Sequence, residues 1–321
     1  MKKGSKMNKK ITIIIPHLNE PDNEVYNTIK NIYETADSNL FKMIVIDDHS
    51  EEKYRVNLDE FKDIRQIYNK DRIGVDGCRQ LGGEMCDTDN LLILDCHMRF
   101  QKQSDWLAKM IESCQKEPNT VFCSTSLGLG YGNMDINKHA GKYWGADLMV
   151  FDKNADPRRE SRECLEPKWR GRESNEEVYE IPIILGAVYF MTKQRFDYLH
   201  GFKGLKMWGS SEVWISLKNF MAGGKNKIHT GIEVGHKYRD NSPFATGISF
   251  LYYNKGYICK TILPEEIGKR VMNCLPKNIN LRSAERLLED NKKEIENEKK
   301  YYQSIFNRTF FDFCDKFNVI I

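Results

Sequence analysis

The stretch Leu91-Leu92-Ile93-Leu94-Asp95-Cys96-His97 joins a run of four apolar residues to a carboxylate and an imidazole. Such a run, followed directly by polar residues, predicts a buried strand that ends near Asp95. Alternate side chains of an extended chain point the same way, so Asp95 and His97 can bind one ion together. His236, in Val234-Gly235-His236, also follows a strand-like run and completes a predicted site for one divalent metal. The alternative interpretation is structural, with a histidine that caps a helix or is hydrogen-bonded in the core.

The ligand atoms of this predicted site limit which metal ion it can bind. Oxygen and imidazole donors without thiolates suit Mn²⁺ or a similar divalent cation. Three protein ligands leave coordination positions free for the phosphate oxygens of a substrate. The same residues could bind Zn²⁺, which is the alternative.

Two other apolar runs end in polar residues in the same way. They are Ile11–Ile15 before Pro16-His17-Leu18-Asn19-Glu20, and Met43–Ile46 before Asp47-Asp48-His49-Ser50. Continuous apolar strands that alternate with helical patterns predict an α/β fold with a mostly parallel sheet covered on both faces. Because ligands of such sheets bind at the carboxyl ends of the strands, the polar clusters are predicted to meet at one edge.

The predicted helices fall between and after these strands. Asp71–Arg79 is predicted to be a loop that leads into a helix, and the helix continues to about Cys86. Gly74 is expected to permit the turn between them. A basic residue at such a helix start is well placed for a phosphate. A second helix is predicted at Ser211–Ala222, with Gly223-Gly224 as its stop.

The alternation of apolar strands and helical segments is less regular in the rest of the chain. Residues 128–180 are rich in Gly, Asp and Arg and are predicted to form long loops over the site. Ile181–Thr192 is predicted to be a strand pair or a strand with a turn, and the chain after Arg239 is predicted to be helical. An aromatic stripe at helical spacing either docks on the catalytic core or forms a dimer or acceptor interface. Its members are Tyr302, Phe306, Phe310, Phe313 and Phe317.

Composition and charge narrow the class of protein. A chain of 321 residues, 40% apolar and 30% charged, is ordinary for a soluble enzyme with one large α/β domain or two smaller ones. Its 49 basic and 46 acidic residues nearly balance, which does not favour nucleic acid as the main partner. The 9 cysteines include no C-x-x-C pair, as expected of reduced, buried thiols in a cytoplasmic protein. The N-terminal lysine-rich segment runs into a strand too short to span a membrane, so no anchor is expected.

Five motifs occur in the order found in a GT-A glycosyltransferase. They are Pro16-His17-Leu18-Asn19-Glu20, Asp47-Asp48-His49-Ser50, Asp95-Cys96-His97, Trp208-Gly209-Ser210-Ser211-Glu212 and Val234-Gly235-His236-Lys237-Tyr238-Arg239. Over residues 10–240 the chain resembles the family 2 glycosyltransferases and, most closely, the catalytic domain of the polypeptide N-acetylgalactosaminyltransferases. The resemblance implies a GT-A (Rossmann-like) catalytic domain at residues 1–240, with a mostly parallel sheet flanked by helices. Residues 241–321 are then a helical C-terminal extension that packs on the core or forms a partner interface, a homodimer included.

The resemblance also implies ligand roles. Asp95, His97 and His236 would hold Mn²⁺ on the diphosphate of a UDP-sugar. The residues implied to contact the nucleotide are Pro16 and His17 at the base, Asp47 or Asp48 with Arg72 at the uridine, and Arg239 at the diphosphate. These roles agree with the chemistry, since carboxylates accept hydrogen bonds from ribose or uracil and guanidinium groups bind phosphate in a fork. The local alternatives are that Asp48 caps the next helix, that Arg72 is a solvated charge and that Arg239 pairs with Asp240.

The chain departs from the family pattern at two segments. The family has Trp-Gly-Gly-Glu-Asn where this chain has Trp208-Gly209-Ser210-Ser211-Glu212, which moves the carboxylate to Glu212. Ile184-Leu185-Gly186-Ala187 stands where the family has an Ala-Gly-Gly segment at the donor sugar, so Gly186 and Ala187 are expected near the sugar. The resemblance therefore does not identify N-acetylgalactosamine as the donor sugar. With no evident anchor, disulfide framework or lectin repeat, the chain is expected to be a bacterial or phage relative.

The implied reaction is metal-dependent transfer of a hexosyl or N-acetylhexosaminyl group to an acceptor hydroxyl. Its catalytic candidates are Glu212, Trp208 and Arg239. Similarity to the closest relatives implies retention by front-face attack, whereas an inverting enzyme would use Glu212 as base. Trp208 is predicted to close over the donor or, alternatively, to be a core aromatic at a helix start. The competing functions are a nucleotide-sugar-binding module without turnover and a metal-dependent nucleotidyltransferase or hydrolase.

The acceptor is left open between a protein Ser or Thr, a glycan and a hydroxylated base in phage DNA. DNA would need a basic groove. The candidate basic residues are Arg158-Arg159, Arg162, Lys168, Arg170 and Arg172. They alternate with acidic residues, which favours a solvated loop.

Overall fold

The computed structural model describes residues 9–102, 105–130, 135–151, 164–171, 174–238, 245 and 247–321. Arg239 and four arginines of the predicted basic run, Arg158, Arg159, Arg162 and Arg172, lie outside these residues. Within the described ranges, no helix is both long and apolar enough to cross a membrane. The cytoplasmic location stays a prediction.

The described strands are β1 (Ile11–His17), β2 (Phe41–Asp47), β3 (Ile64–Tyr68), β4 (Asn90–Leu94), β5 (Met98–Phe100), β6 (Thr120–Leu129), β7 (Gly141–Tyr143), β8 (Ala146–Phe151), β9 (Cys164–Trp169), β10 (Val178–Glu180), β11 (Val188–Thr192) and β12 (Lys225–Lys237). The described helices are α1 (Glu24–Thr35), α2 (Gly74–Glu84), α3 (Trp106–Lys116), α4 (Lys193–Tyr198), α5 (Ser211–Met221), α6 (Ile248–Thr261), α7 (Glu265–Cys274), α8 (Ile279–Asp290), α9 (Lys292–Ile305) and α10 (Phe310–Phe317).

One large mixed sheet organises the described residues. Its strand order is β10-β12-β6-β11-β4-β1-β2-β3, with β5 beside β12 and β7 beside β6. The strands from β4 to β3 run parallel, as do β6 and β12. β11 is antiparallel to both β4 and β6, so the two parallel blocks point the same way. The predicted α/β sheet flanked by helices is confirmed, and the carboxyl ends of both blocks share one edge.

Alternating apolar residues of the central strands fill two cores, one on each face of the sheet. Ile13 and Leu92 pack in one core with residues of α1 and α3. Ile14 and Ile93 pack in the other core with residues of α2, α5 and α6. All four are fully buried, and burial on both faces explains why β1 and β4 are continuous apolar runs. All nine cysteines are free and all but Cys274 are buried, as predicted.

The predicted elements around the site are confirmed, with shifts at their ends. β1 continues through Pro16 to His17, so both residues belong to the strand. α2 begins at Gly74, which has a φ of 82°, a conformation that costs least for glycine. The helix predicted at 211–222 ends at Met221, and Gly223 follows with a φ of 77° as its stop.

The prediction of long loops across residues 128–180 is wrong for the part that the structure describes. β7 joins the large sheet beside β6, β10 joins it beside β12, and β8 and β9 form a separate antiparallel pair. Buried residues alternate along β8, where Ala146, Leu148 and Val150 face the core. This alternation covers few residues among many charged ones, so the loop-like composition hid it. For Ile181–Thr192, the second interpretation, a strand with a turn, is confirmed: a turn at Gly186-Ala187 precedes the strand Val188–Thr192.

The aromatic stripe of the C-terminal region docks on the core, as the first of its two interpretations predicted. Tyr302 and Phe313 are fully buried. Edge-to-face contacts join Tyr302 to Trp214, with ring centroids 5.4 Å apart, and Phe313 to Phe220, at 5.2 Å. A dimer through this region and a domain boundary at residue 240 stay predictions.

Candidate active site

The carboxyl ends of the parallel strands bring the predicted site residues to one edge of the sheet. β1 ends at His17, β2 ends at Asp47, and Asp95 follows β4. His17 and Asp47 are direct partners across β1 and β2. His236 reaches this edge because β12 pairs with β5, which places it opposite Met98, the residue after His97.

Asp95, His97 and His236 converge at this edge. The Nε2 atoms of the two histidines are 3.1 Å apart, and His236 Nε2 is 3.5 Å from Asp95 Oδ2. With metal–ligand bonds of about 2.1 Å, neighbouring ligands of an octahedral ion lie about 3 Å apart, so the three donors fit one divalent cation. His97 is buried whereas Asp95 and His236 are half-buried, so a ligand can reach the cluster.

Asp95 is held in its ionised form. Its backbone N–H donates to the carbonyl of Ala187 at 3.0 Å, and Arg79 Nη2 donates to its Oδ1 at 3.1 Å. Burial acts to raise the pKa of Asp95, but the hydrogen bond with His236 and the charge of Arg79 together hold that pKa well below its usual value. The carboxylate is therefore negative at neutral pH, as a cation ligand must be.

Behind Asp95 lies a buried polar network that the sequence analysis did not identify. Arg79 Nη1 donates to Asp76 Oδ1 at 3.3 Å and to Ser211 Oγ at 3.0 Å. Ser211 Oγ in turn donates to Asp76 Oδ1 at 2.5 Å. Burial raises the pKa of Asp76 to about 6, although Arg79 and Ser211 both act to lower it. The available signal was the pair of opposite charges three residues apart on one face of the predicted helix.

Glu212, the predicted catalytic carboxylate, lies against the segment predicted to contact the donor sugar. Tyr189 OH donates to Glu212 Oε1 at 3.1 Å. A Cβ added to Gly186 would lie 2.4 Å from the same oxygen, so a side chain at this position would displace the Glu212 carboxylate. The Arg79 guanidinium lies 4.9 Å from the centroid of the Tyr189 ring. Glu212 and Asp95 are thus linked through two side chains.

Trp208 is 36% exposed, so the interpretation of it as a core aromatic is wrong. The backbone around it is fixed from two sides. Asn254 Nδ2 donates to the carbonyls of Trp208 and Gly209 at 3.3 and 2.9 Å, and Gly74 forms a β-bridge with Met207. An exposed indole is therefore presented on a constrained segment just before α5.

The two aspartates predicted to contact the uridine differ in how many of their oxygens already accept hydrogen bonds within the protein. Asp48 accepts hydrogen bonds from the backbone N–H groups of Ile73 and Gly74, each at 2.8 Å. It therefore caps α2, and these N–H groups are already used. Asp47 accepts from the Ser50 N–H at 2.6 Å, while its Oδ2 is buried and has no hydrogen-bond partner in the described part of the chain. Of the two, Asp47 retains an oxygen for a ligand.

The other predicted nucleotide contacts lie along the same edge. His17 is buried, and burial lowers its pKa in spite of the opposing charges of Asp47 and Glu20, so the imidazole is neutral at pH 7. Pro16 is buried within β1, and Arg72 is half-buried just before α2. Arg239 lies outside the described residues.

Comparisons with known proteins agree with this architecture. Residues 12–178 match the family model for Glycosyl transferase family 2. The chain is 24% identical over 244 residues to polypeptide N-acetylgalactosaminyltransferase 4 of Mus musculus, a match that covers 73% of this chain and 40% of that protein. It is 26% identical over 252 residues to N-acetylgalactosaminyltransferase 7 of Drosophila melanogaster, covering 74% of this chain and 40% of that protein. The chain thus spans about two fifths of the length of these curated relatives.

A solved structure extends the likeness to the fold. The crystal structure of GalNAc-T7 with UDP, GalNAc and Mn²⁺ matches with a TM-score of 0.73 at 18% identity, over 96% of this chain and 57% of that one. Together with the order of strands and helices, this match confirms the predicted GT-A fold with a helical C-terminal region.

Proposed function

This chain belongs to glycosyl transferase family 2, and from that membership we propose that it moves a sugar from a UDP-sugar to an acceptor hydroxyl in a metal-dependent reaction. The observation that carries the proposal is the convergence of Asp95, His97 and His236 within reach of one ion at the carboxyl edge of the sheet. Further support is that the structure of GalNAc-T7, which has a similar fold, contains UDP, GalNAc and Mn²⁺.

Asp95, His97 and His236 would hold the cation, which is Mn²⁺ in this proposal. When bound, it supplies Lewis-acid stabilisation of the charge that develops on the diphosphate leaving group. Arg79 orients Asp95 and keeps it ionised, so Arg79 acts on the cation through that carboxylate. Arg239 would place a second positive charge on the diphosphate.

The nucleotide would lie along the ends of β1 and β2. The free Oδ2 of Asp47 would accept a hydrogen bond from ribose or uracil, and His17 and Pro16 would line the base. Asp48 has a positioning role in this proposal, because it fixes the start of α2 and with it the neighbouring Arg72, which would contact the uridine.

The donor sugar would lie between the Gly186-Ala187 segment and Glu212, with Trp208 closing over it. The linkage is retained in this proposal: the acceptor hydroxyl attacks the anomeric carbon from the face that the leaving group departs, and a phosphate oxygen takes its proton. Glu212 then orients the sugar or the acceptor, since one of its oxygens already accepts from Tyr189. In an inverting reaction Glu212 would instead be the general base.

The acceptor class remains a choice between protein, glycan and modified DNA. Arg170, a described member of the predicted basic run, lies 3.4 Å from the carboxylate of Asp147. This pairing removes one of the positive charges that a DNA acceptor would need.

UDP release from a panel of UDP-sugars, with Mn²⁺ or with EDTA, tests the proposed function. We expect one donor to be turned over, Mn²⁺ to be required, and His97→Ala to lose at least about 100-fold in rate because a direct ligand is removed. Exposed His139 provides the control, since His139→Ala leaves the site intact. Release of pyrophosphate from nucleoside triphosphates, with no UDP from any sugar donor, would instead indicate a nucleotidyltransferase. Donor binding without release would indicate a binding module.

A further inference from the structure

His97 has a second polar environment on the side away from His236. Its Nδ1 is 3.5 Å from Glu20 Oε1 and 3.6 Å from Cys96 Sγ, and Cys96 Sγ is 3.1 Å from Glu20 Oε2. Glu20, Cys96 and His97 are 5%, 4% and 7% exposed. A carboxylate, a thiol and an imidazole nitrogen are therefore gathered in one buried space next to the predicted metal site.

Two of these separations, 3.5 and 3.6 Å, equal those of a zinc site, and the third, 3.1 Å between Cys96 Sγ and Glu20 Oε2, is about 0.2 Å shorter. Ligand atoms of a tetrahedral Zn²⁺ with bonds of about 2.0–2.3 Å lie about 3.3–3.6 Å apart. A set with a thiolate suits Zn²⁺ and does not suit Mn²⁺, which prefers oxygen donors. One thiolate and one carboxylate also cancel the two charges of the ion, which reduces the cost of burying it.

We propose that Glu20, Cys96 and Nδ1 of His97 form a second metal site, selective for Zn²⁺, and that its occupancy excludes a metal from the site of Asp95, His97 and His236. The exclusion rests on the proposed function, because it requires Asp95, His97 and His236 to hold a metal, whereas the second site itself does not. The reason for the exclusion is that a neutral imidazole has one lone pair and one N–H, so the two nitrogens of His97 cannot both bind a metal without loss of a further proton.

The two states differ in where one proton lies. Without zinc, a proton on His97 Nδ1 faces Glu20 Oε1, 3.5 Å away, and the Nε2 lone pair is left for the first site. When zinc binds, the Cys96 thiol proton leaves to solvent as the Zn–S bond forms, and the imidazole proton moves from Nδ1 to Nε2. Nε2–H then faces His236 Nε2, 3.1 Å away, as a hydrogen-bond donor and no longer as a ligand.

Cobalt(II) is the probe for the second site, because a thiolate bound to Co²⁺ gives a charge-transfer absorption band in the near ultraviolet. We expect the metal-free full-length chain to show this band on titration with Co²⁺, His236→Ala to retain it, and Cys96→Ser to lose it. Cys274→Ser removes the exposed thiol and is the control that should keep the band. Absence of the band in the wild type, or its persistence in Cys96→Ser, would overturn the proposal. Cys96→Ala replaces Cys96→Ser if circular dichroism shows that the serine variant is unfolded.

Competition between the two metals tests the exclusion. Free Mn²⁺, measured by electron paramagnetic resonance, should rise when Zn²⁺ is added to the wild-type protein loaded with Mn²⁺. In Cys96→Ser we expect about 10-fold more Zn²⁺ to be needed, or more. Equal Zn²⁺ requirements would mean that zinc enters the first site directly, which contradicts the proposal. Neither readout uses turnover, so a failure of the proposed transferase activity is distinguishable from a failure of the second site.

Discussion

The family pattern Trp-Gly-Gly-Glu-Asn has a glutamate at position 211, and the residue of this chain at that position contacts a buried carboxylate of α2, Asp76. Here position 211 is Ser, whose hydroxyl donates to Asp76 Oδ1 at 2.5 Å and accepts from Arg79 at 3.0 Å. Arg79 therefore has a carboxylate of α2 beside it, in addition to Glu212 of α5, whose charge also acts on Arg79.

Ser211→Ala tests this arrangement. Asp76 is fully buried and would lose its shortest hydrogen bond, so we expect a loss of about 1–3 kcal/mol in the free energy of unfolding, measured by urea denaturation. UDP release should fall as well, because Arg79 orients Asp95. The matched control is Ser210→Ala, since Ser210 Oγ has no hydrogen-bond partner among the described residues. Equal stability losses in the two variants would argue against a role for the Ser211 hydroxyl.

Sequence patterns predicted that Asp95 and His97 lie together, because both belong to one motif, but these patterns could not reveal the residues that contact Asp95. Ser211 is 135 residues from Asp76 and 132 residues from Arg79, and nothing in a local pattern reports a contact at that separation. The same limit applies to Asp48, which was predicted to contact uridine or to cap the next helix. The helix whose start it binds begins 26 residues later, at Gly74.

At the scale of elements, the start of α2 and the segment before α5 are packed backbone against backbone. A Cβ added to Gly74 would lie 2.1 Å from the Cα of Met207, and the φ of Gly74 is 82°. The Asp76 N–H also points at the Met207 carbonyl, at 3.4 Å. The position of Trp208 is therefore set by how closely these two segments approach.

Gly74→Ala is expected to separate the two segments. The substitution adds both a backbone clash and an unfavourable φ, so it should destabilise the protein by more than about 1 kcal/mol and reduce UDP release. Gly77→Ala is the control on the same helix, because the three atoms nearest to its Cβ would all belong to the exposed Ile73 side chain, the closest at 3.1 Å. That variant should be neutral or gain up to about 1 kcal/mol. Urea denaturation of both variants measures the difference, and similar values would contradict the clash.

Elements were predictable where one physical signal dominated. β1, β2 and β4 are buried on both faces, so their continuous apolar runs predicted strands, and Gly223 marked the end of α5. β8 and β9 were missed because their apolar signal is weak: only alternate residues of β8 are buried, and β9 includes Pro167 and three charged or aromatic residues that are not fully buried. What holds β9 is distant: Lys255 of α6 donates to the Cys164 carbonyl and pairs with Glu166, both at 2.7 Å.

At the scale of the whole molecule, two strands of the large sheet each contain a buried histidine with a lowered pKa. His17 in β1 and His229 in β12 are each 5–6% exposed, and burial lowers the pKa of both, although nearby carboxylates act to raise it. Unfolded histidine has a pKa of about 6.5. Below that pH the unfolded chain takes up protons that the folded chain does not, so these two groups make stability fall as the pH falls from 7.

The pH dependence of stability follows from the balance of these groups with Asp76. The pKa of Asp76 is raised to about 6 from 3.8, so the folded state binds that proton more tightly and Asp76 makes stability rise as the pH falls through 6. Each histidine lowers stability by up to about 1.4 kcal/mol per pH unit, so two histidines outweigh one carboxyl group.

We expect the free energy of unfolding to fall between pH 7 and pH 5 in urea titrations, and the fall to be smaller in His229→Asn, which leaves the site at Asp95 untouched. His139→Asn, at an exposed position, should follow the wild type, and a His229→Asn curve that also follows it would mean that His229 is protonated equally in the folded and unfolded states.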